Sequence, residues 1–222
     1  MQKILNGLKH FQDNVFPEEE GLFRRLASSQ SPEALFLTCS DSRISPGMMT
    51  QTKPGDLFIC RNAGNIAPPH GEPAGGVSAT IEYAVMALNV RDIIVCGHSD
   101  CGAMKGLLHP EKLKDMPTVA AWLRHAERAR VVTLENYEHL DEHALLATLT
   151  EQNVLAQLDH LRTLPSVASR TEQGRLALHG WVYQIETGLV RAYDPAQRRF
   201  VPIRHMTEQP LESGAPPRVM HA

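Results

Sequence analysis

Apolar residues in the first fifteen positions fall at Ile4, Leu5, Leu8, Phe11 and Val15, the spacing of one helix face over 2–15. Pro17 stands where a second helix can begin, with Glu18, Glu19 and Glu20 in its first turn, and this helix is expected to reach about Ser28. The period then changes. Residues 34–39 form an unbroken run that reads as a short, wholly buried strand ending in the polar stretch Ser40-Asp41-Ser42-Arg43. A second buried strand is expected at 57–60 after the turn Pro54-Gly55-Asp56, and a third at 93–96, breaking at Gly97. Between them lie a loop rich in Gly and Pro and a helix over 77–88, whose Val77, Ile81, Ala84, Val85 and Leu88 share one face.

Helical spacing returns at roughly 116–129 and 137–163. Residues 175–185 alternate as a strand does, Glu186-Thr187-Gly188 suits a hairpin turn, and 189–193 and 200–203 supply two more strands. No internal repeat and no domain-sized linker interrupts the pattern. Buried strands alternating with helices predict an α/β fold with a mostly parallel central sheet flanked by helices. The sequence adds an N-terminal helical arm (1–28) and an antiparallel C-terminal extension over 175–203. One domain is expected over 1–203, with a loose tail at 204–222 that holds Pro210, Pro216 and Pro217.

In such sheets, ligands collect at the carboxyl ends of strands. One strand end delivers Cys39, and another delivers His98 and Cys101. If those strands are neighbours, two thiolates and an imidazole converge, a set that suits Zn2+ and leaves one of four positions open, as catalytic zinc sites do. Asp41 is a candidate fourth ligand, and Arg43 competes for it through a bidentate pair. Asp41 therefore either caps the metal or bonds to Arg43 and leaves room for water. A water on such a zinc ionises near pH 7 when the ligands are histidines, and somewhat higher with two thiolates, giving a hydroxide that Asp41 can orient.

Composition narrows the field. The 222 residues suffice for a core without staples, and a net charge of −3 with 21% charged residues argues against nucleic acid as a partner. Cysteines 39, 60, 96 and 101 are too sparse for a stapled secreted domain, and Cys60 and Cys96 sit within apolar runs as core residues. Asn6, Lys9, His10 and Asp13 interrupt any signal-like apolar stretch, and no window approaches the ~18 apolar residues of a membrane span. A cytoplasmic protein with no membrane partner is expected.

Cys39-Ser40-Asp41-Ser42-Arg43 and Gly97-His98-Ser99-Asp100-Cys101-Gly102 resemble the two signature motifs of β-class carbonic anhydrases. Pro54-Gly55-Asp56-Leu57-Phe58, Arg61-Asn62-Ala63-Gly64-Asn65, Gly75-Gly76-Val77, Glu82-Tyr83-Ala84 and Leu178-His179-Gly180-Trp181 are also similar to the family pattern. The resemblance is greatest to plant-type members and to the bacterial branch encoded beside cyanase. It implies reversible hydration of CO2 to bicarbonate, with one Zn2+ per subunit on Cys39, His98 and Cys101 and a catalytic dyad of Asp41 and Arg43. It further implies substrate-pocket positions at Gln30, Phe58, Ala63 and Tyr83, and a homodimer or larger assembly with pockets at the interface. Members regulated by non-catalytic bicarbonate carry Trp where this chain has Phe36, so the open, plant-like form is expected.

Other readings keep some of the same residues. A hydrolase of carbon disulfide or carbonyl sulfide would share the metal chemistry. A thiol enzyme with Cys39 as nucleophile is a second rival, although a cysteine-phosphatase loop needs five residues between Cys and Arg and only Ser40, Asp41 and Ser42 stand between Cys39 and Arg43. A non-catalytic zinc module would not require Asp41 and Arg43.

Overall fold

The computed structural model describes residues 1–73 and 75–205. Its strands are β1 (Ala34–Cys39), β2 (Leu57–Asn62), β3 (Asp92–His98), β4 (Ala177–Tyr183), β5 (Val190–Asp194) and β6 (Arg199–Pro202). They form one sheet in the order β2-β1-β3-β4-β5-β6. The first four run parallel, and only β5 and β6 are antiparallel. The antiparallel extension thus begins one strand later than the alternation of 175–185 suggests, because β4 pairs with β3 before the hairpin turns. β3 also runs past Gly97 to include His98.

The helices are α1 (Gln2–His10), α2 (Phe16–Leu26), α3 (Pro46–Thr50), α4 (Gly76–Met86), α5 (Gly102–Leu108), α6 (Pro117–Leu123), α7 (Glu127–Tyr137), α8 (Glu142–Thr163) and α9 (Pro165–Glu172). Pro46, Pro117 and Pro165 occupy first-turn positions, where the missing N–H costs nothing. Asp141 caps α8, its carboxylate accepting from the Ala144 N–H at 2.8 Å, which separates α8 from α7 where the sequence pattern runs on from 137. The expected break before Pro17 does not occur. Helical backbone continues from α1 through a π-helical turn, Phe11–Val15, into α2. A wider turn there relieves the clash of the proline ring with the preceding turn. It also sets Phe11 and Phe16, five residues apart, on one side with Phe23; the Phe16 and Phe23 rings stack at 5.4 Å.

The main core lies on one face of the sheet. Leu35 and Leu37 of β1 and Ile93 and Val95 of β3 pack there against Ile81 and Val85 of α4 and Val154 and Leu158 of α8. Gly180 of β4 lets α8 approach: a Cβ there would stand 2.8 Å from Val154 Cγ1 and 3.0 Å from Leu158 Cδ1. The opposite face carries a smaller cluster of Phe36, Ile94 and Cys96 with Met49 and Trp181. That asymmetry corrects the expectation for β2. It is an edge strand in which only Cys60 is buried, and Ile59 is 45% exposed. α1 and α2 bury no residue at all, and Ile4, Leu5 and Leu8 are exposed. Among the described residues no helix is long and apolar enough to cross a membrane. The chain ends its described part in a 3-10 turn, Ile203–His205, so most of the expected tail lies outside the described residues.

Candidate metal centre

β1 and β3 are neighbours, paired in parallel from Ala34↔Asp92 to Thr38↔Cys96. The chain leaves β1 for β2 on one side and continues from β3 to β4 on the other, so the gap between their carboxyl ends is a topological switch point. Cys39 is the last residue of β1, His98 the last of β3, and Cys101 caps α5 just beyond. Asp100, at φ 56°, turns the chain between them, and the Ser99 N–H donates to the Tyr183 carbonyl at 2.9 Å, tying the loop to β4.

All three ligand atoms lie within 4.8 Å of one another, and all three residues are buried. The two sulfurs are 3.9 Å apart. Two thiolates at ~2.3 Å from one tetrahedral zinc would stand about 3.8 Å apart, so the pair has the required span. His98 Nδ1 lies 2.8 Å from the Ser99 carbonyl oxygen, which can only accept, so Nδ1 carries the hydrogen. Nε2 therefore presents its lone pair, and it is buried without a protein partner. An orphaned imidazole nitrogen facing two thiols fits a bound zinc ion.

The thiols interact strongly with each other. By donating to Cys39, the Cys101 thiol holds Cys39 below the ordinary thiol range against its burial, and the Gly64 N–H acts in the same direction. Cys101 is pushed up, first because it is the donor to Cys39 and then by burial, while first-turn N–H groups of α5 oppose the shift. One thiolate thus forms readily, and the second needs a cation. Cys60 and Cys96 differ: burial raises both, Cys96 to about 12, which suits inert core thiols.

Asp41 is engaged by Arg43 rather than by the cluster. Arg43 Nε donates to Oδ1 at 3.0 Å, Nη2 to Oδ2 at 2.8 Å, and the Arg43 backbone N–H to Oδ1 at 2.9 Å. Asp41 Oδ2 stays 3.9 Å from His98 Nε2. The side-chain bonds from Arg43 hold the Asp41 carboxyl far below the usual carboxylate range. Its folded-state pKa is depressed, so the pairing contributes to stability above the unfolded value of ~3.9 and is lost only as pH falls towards the folded value.

Sequence reasoning gave no role to the groups that hold this dyad. Asp100 accepts from Arg43 Nη1 at 3.2 Å and, through its carbonyl, from Nη2 at 3.1 Å, and Lys105 in turn binds Asp100. Arg61 donates to the Cys39 and Asp41 carbonyls at 3.0 and 2.7 Å, clamping the backbone of the turn. Arg61 follows from register alone, since it stands opposite Thr38. Nothing in its sequence neighbourhood points to the turn.

The expected pocket residues divide. Ala63 follows Asn62, which pairs with Cys39, so it lies at the level of the cluster. Phe58 pairs with Leu35, four positions back, which is ~13 Å along the strand. Tyr83 packs on Phe58 with ring centroids 6.0 Å apart and is half exposed. Gln30 is exposed and precedes the opposite end of β1. Within one chain, Gln30, Phe58 and Tyr83 are not brought to Cys39.

A parallel sheet with a cysteine–histidine–cysteine cluster at its switch point defines an α/β protein built around a metal-capable centre. The carbonic anhydrase family model matches residues 34–190, and with these relatives and this fold the chain belongs to the β-class carbonic anhydrases, enzymes that interconvert CO2 and bicarbonate. It is 51% identical over 216 residues to a carbonic anhydrase of Pseudomonas aeruginosa, covering 97% of this chain and 98% of that one. Its fold matches the solved β-carbonic anhydrase CcaA with a TM-score of 0.89 at 47% identity, over 91% of each chain. A chain from two tetrameric β-carbonic anhydrases of the ascomycete Sordaria macrospora matches at TM-score 0.78 and 29% identity, over 86% of this chain and 95% of that one.

Proposed function

We propose that this carbonic anhydrase hydrates CO2 at one zinc ion per chain held by Cys39, His98 and Cys101, with Asp41 and Arg43 as its catalytic dyad. The observation that carries the reading is the unpartnered His98 Nε2 facing two sulfurs 3.9 Å apart, while Asp41 is occupied by Arg43. Zinc, when bound, acidifies a water molecule and so supplies a hydroxide nucleophile near neutral pH. Asp41, kept ionised by Arg43, would accept a hydrogen bond from that nucleophile and orient it towards CO2. Arg43 acts through Asp41, holding the carboxylate away from the cluster so that it would not serve as a further ligand. The Asp41–Arg43 pairing supports a resting state that is open in this way.

The reading extends to assembly. Exposed Ile4, Leu5 and Leu8 on an arm without buried residues, and exposed Ile59 on the edge strand, support a homodimer or larger oligomer. Gln30, Phe58 and Tyr83, distant from Cys39 in their own chain, would then line a pocket shared across the interface. Sedimentation should give at least twice the chain mass, and a monomer at micromolar concentration would contradict this. Four free cysteines are consistent with a cytoplasmic location, which cell fractionation tests.

Because the Asp41 carboxyl lies well below its usual range, it does not titrate near neutrality. CO2 hydration is therefore expected to rise from pH 7 towards 9 with a single ionisation, that of water, and without turnover of carbon disulfide. A flat or falling profile would count against a hydroxide nucleophile, and carbon disulfide turnover would reassign the substrate.

A further inference from the structure

Helix α8 carries a polar stripe where a leucine would pack. Asn153, Gln157 and His160 share one face at spacings of four and three, and Asn153 and Gln157 are 1% and 0% exposed. Buried amides destabilise a core unless their bonds are made. Among the described residues, the side-chain bonds of this pair go to the other amide or to the 62–67 loop. Asn153 Nδ2 donates to the Gly64 carbonyl at 2.9 Å, Gln157 Nε2 donates to Asn153 Oδ1 at 2.9 Å, and the Ala67 N–H donates to Gln157 Oε1 at 2.9 Å. His160 Nδ1 meets the Ala67 carbonyl at 2.9 Å, and Trp122 Nε1 donates to the Ala63 carbonyl at 2.8 Å.

What the clamped loop presents is the Gly64 N–H, 3.4 Å from Cys39 Sγ. Gly64 sits at φ 82°, and a Cβ there would stand 3.1 Å from Met104 Cε and 3.2 Å from Ala103 Cβ. A glycine is therefore needed for this N–H to approach the sulfur. We propose that Asn153 and Gln157 are positioning residues of the metal centre, holding the Gly64 N–H on Cys39 and thereby tuning how strongly that sulfur donates to the bound ion. The amide bond draws electron density from the sulfur and fixes its direction, as partners beyond the ligands do in other metal sites. The proposal rests on Cys39 being a ligand.

The test uses full-length protein loaded with Co2+ or Zn2+. In Asn153→Leu and Gln157→Leu, transfer of metal to a chelator should quicken about 10- to 100-fold, because the loss of the sulfur's fixed direction outweighs its stronger donation. Their sulfur-to-cobalt charge-transfer band should move to lower energy, because the sulfur becomes richer in electrons. Leu158→Ala, one residue along α8 but facing the sheet, should lower the melting temperature and leave the band in place. Wild-type band and transfer rate in both amide variants would overturn the inference alone, as would an equal band shift in Leu158→Ala. A wild-type protein that binds neither metal would overturn the ligand assignment as well. Should the amide variants fail to fold, hydrogen exchange of the Gly64 amide in the wild-type protein decides: strong protection is expected, and exchange at the rate of a free peptide would overturn the proposal.

Discussion

Cys39→Ser is expected to leave a folded chain with far less than one zinc and CO2 hydration at the background rate. Serine nearly matches cysteine in shape, so the end of β1 should survive, and circular dichroism should be unchanged. Its hydroxyl, however, is neither ionised near neutrality nor a soft donor, and zinc in a sulfur–nitrogen site needs a thiolate. Burial still holds the Cys101 thiol up, and Cys101 with His98 offers only two strong donors. Cys101→Ser should behave alike. Full hydration activity in a metal-free preparation of either variant would end the proposed mechanism.

The second large effect separates metal from catalysis. Arg43→Ala should retain zinc yet lose about 10²-fold or more in kcat, the size of effect seen when a group that organises charge in the transition state is removed. Without Arg43 the Asp41 carboxylate loses both guanidinium bonds, keeping only the backbone N–H of residue 43. With Oδ2 already 3.9 Å from His98 Nε2, the freed carboxylate would be close enough to compete for a metal held there. Arg43→Lys should not rescue, because an ammonium cannot bond both carboxylate oxygens in one plane. Zinc content measured beside stopped-flow hydration checks this, and turnover at the wild-type rate would contradict the gate.

Much of this centre was legible along the chain because its chemistry sits at abrupt changes of pattern. The apolar runs of β1 and β3 stop at Cys39 and His98, and the polar residues after them have no core to enter. That the two strands are neighbours was a condition the sequence could not supply, since parallel pairing across more than fifty residues leaves no local trace. The same holds for Arg61 and Asn153, whose partners lie at the end of the neighbouring strand or in the loop after β2. Pro17 reads as a helix boundary from propensity, yet a π turn accommodates it. β2 reads as buried because its residues are apolar, but its position at the sheet edge leaves Ile59 open. In both cases hydrophobic pattern reports what a segment can bury, and only the assembled chain decides how much it does.

The central claim is that two sulfurs and one imidazole nitrogen hold a single ion and leave room for a fourth ligand. X-ray absorption at the zinc edge of the purified protein tests it directly. Two sulfur neighbours at ~2.3 Å, one imidazole nitrogen near ~2.0 Å and one further light atom are predicted. A shell without sulfur, or one of four sulfurs, would contradict it.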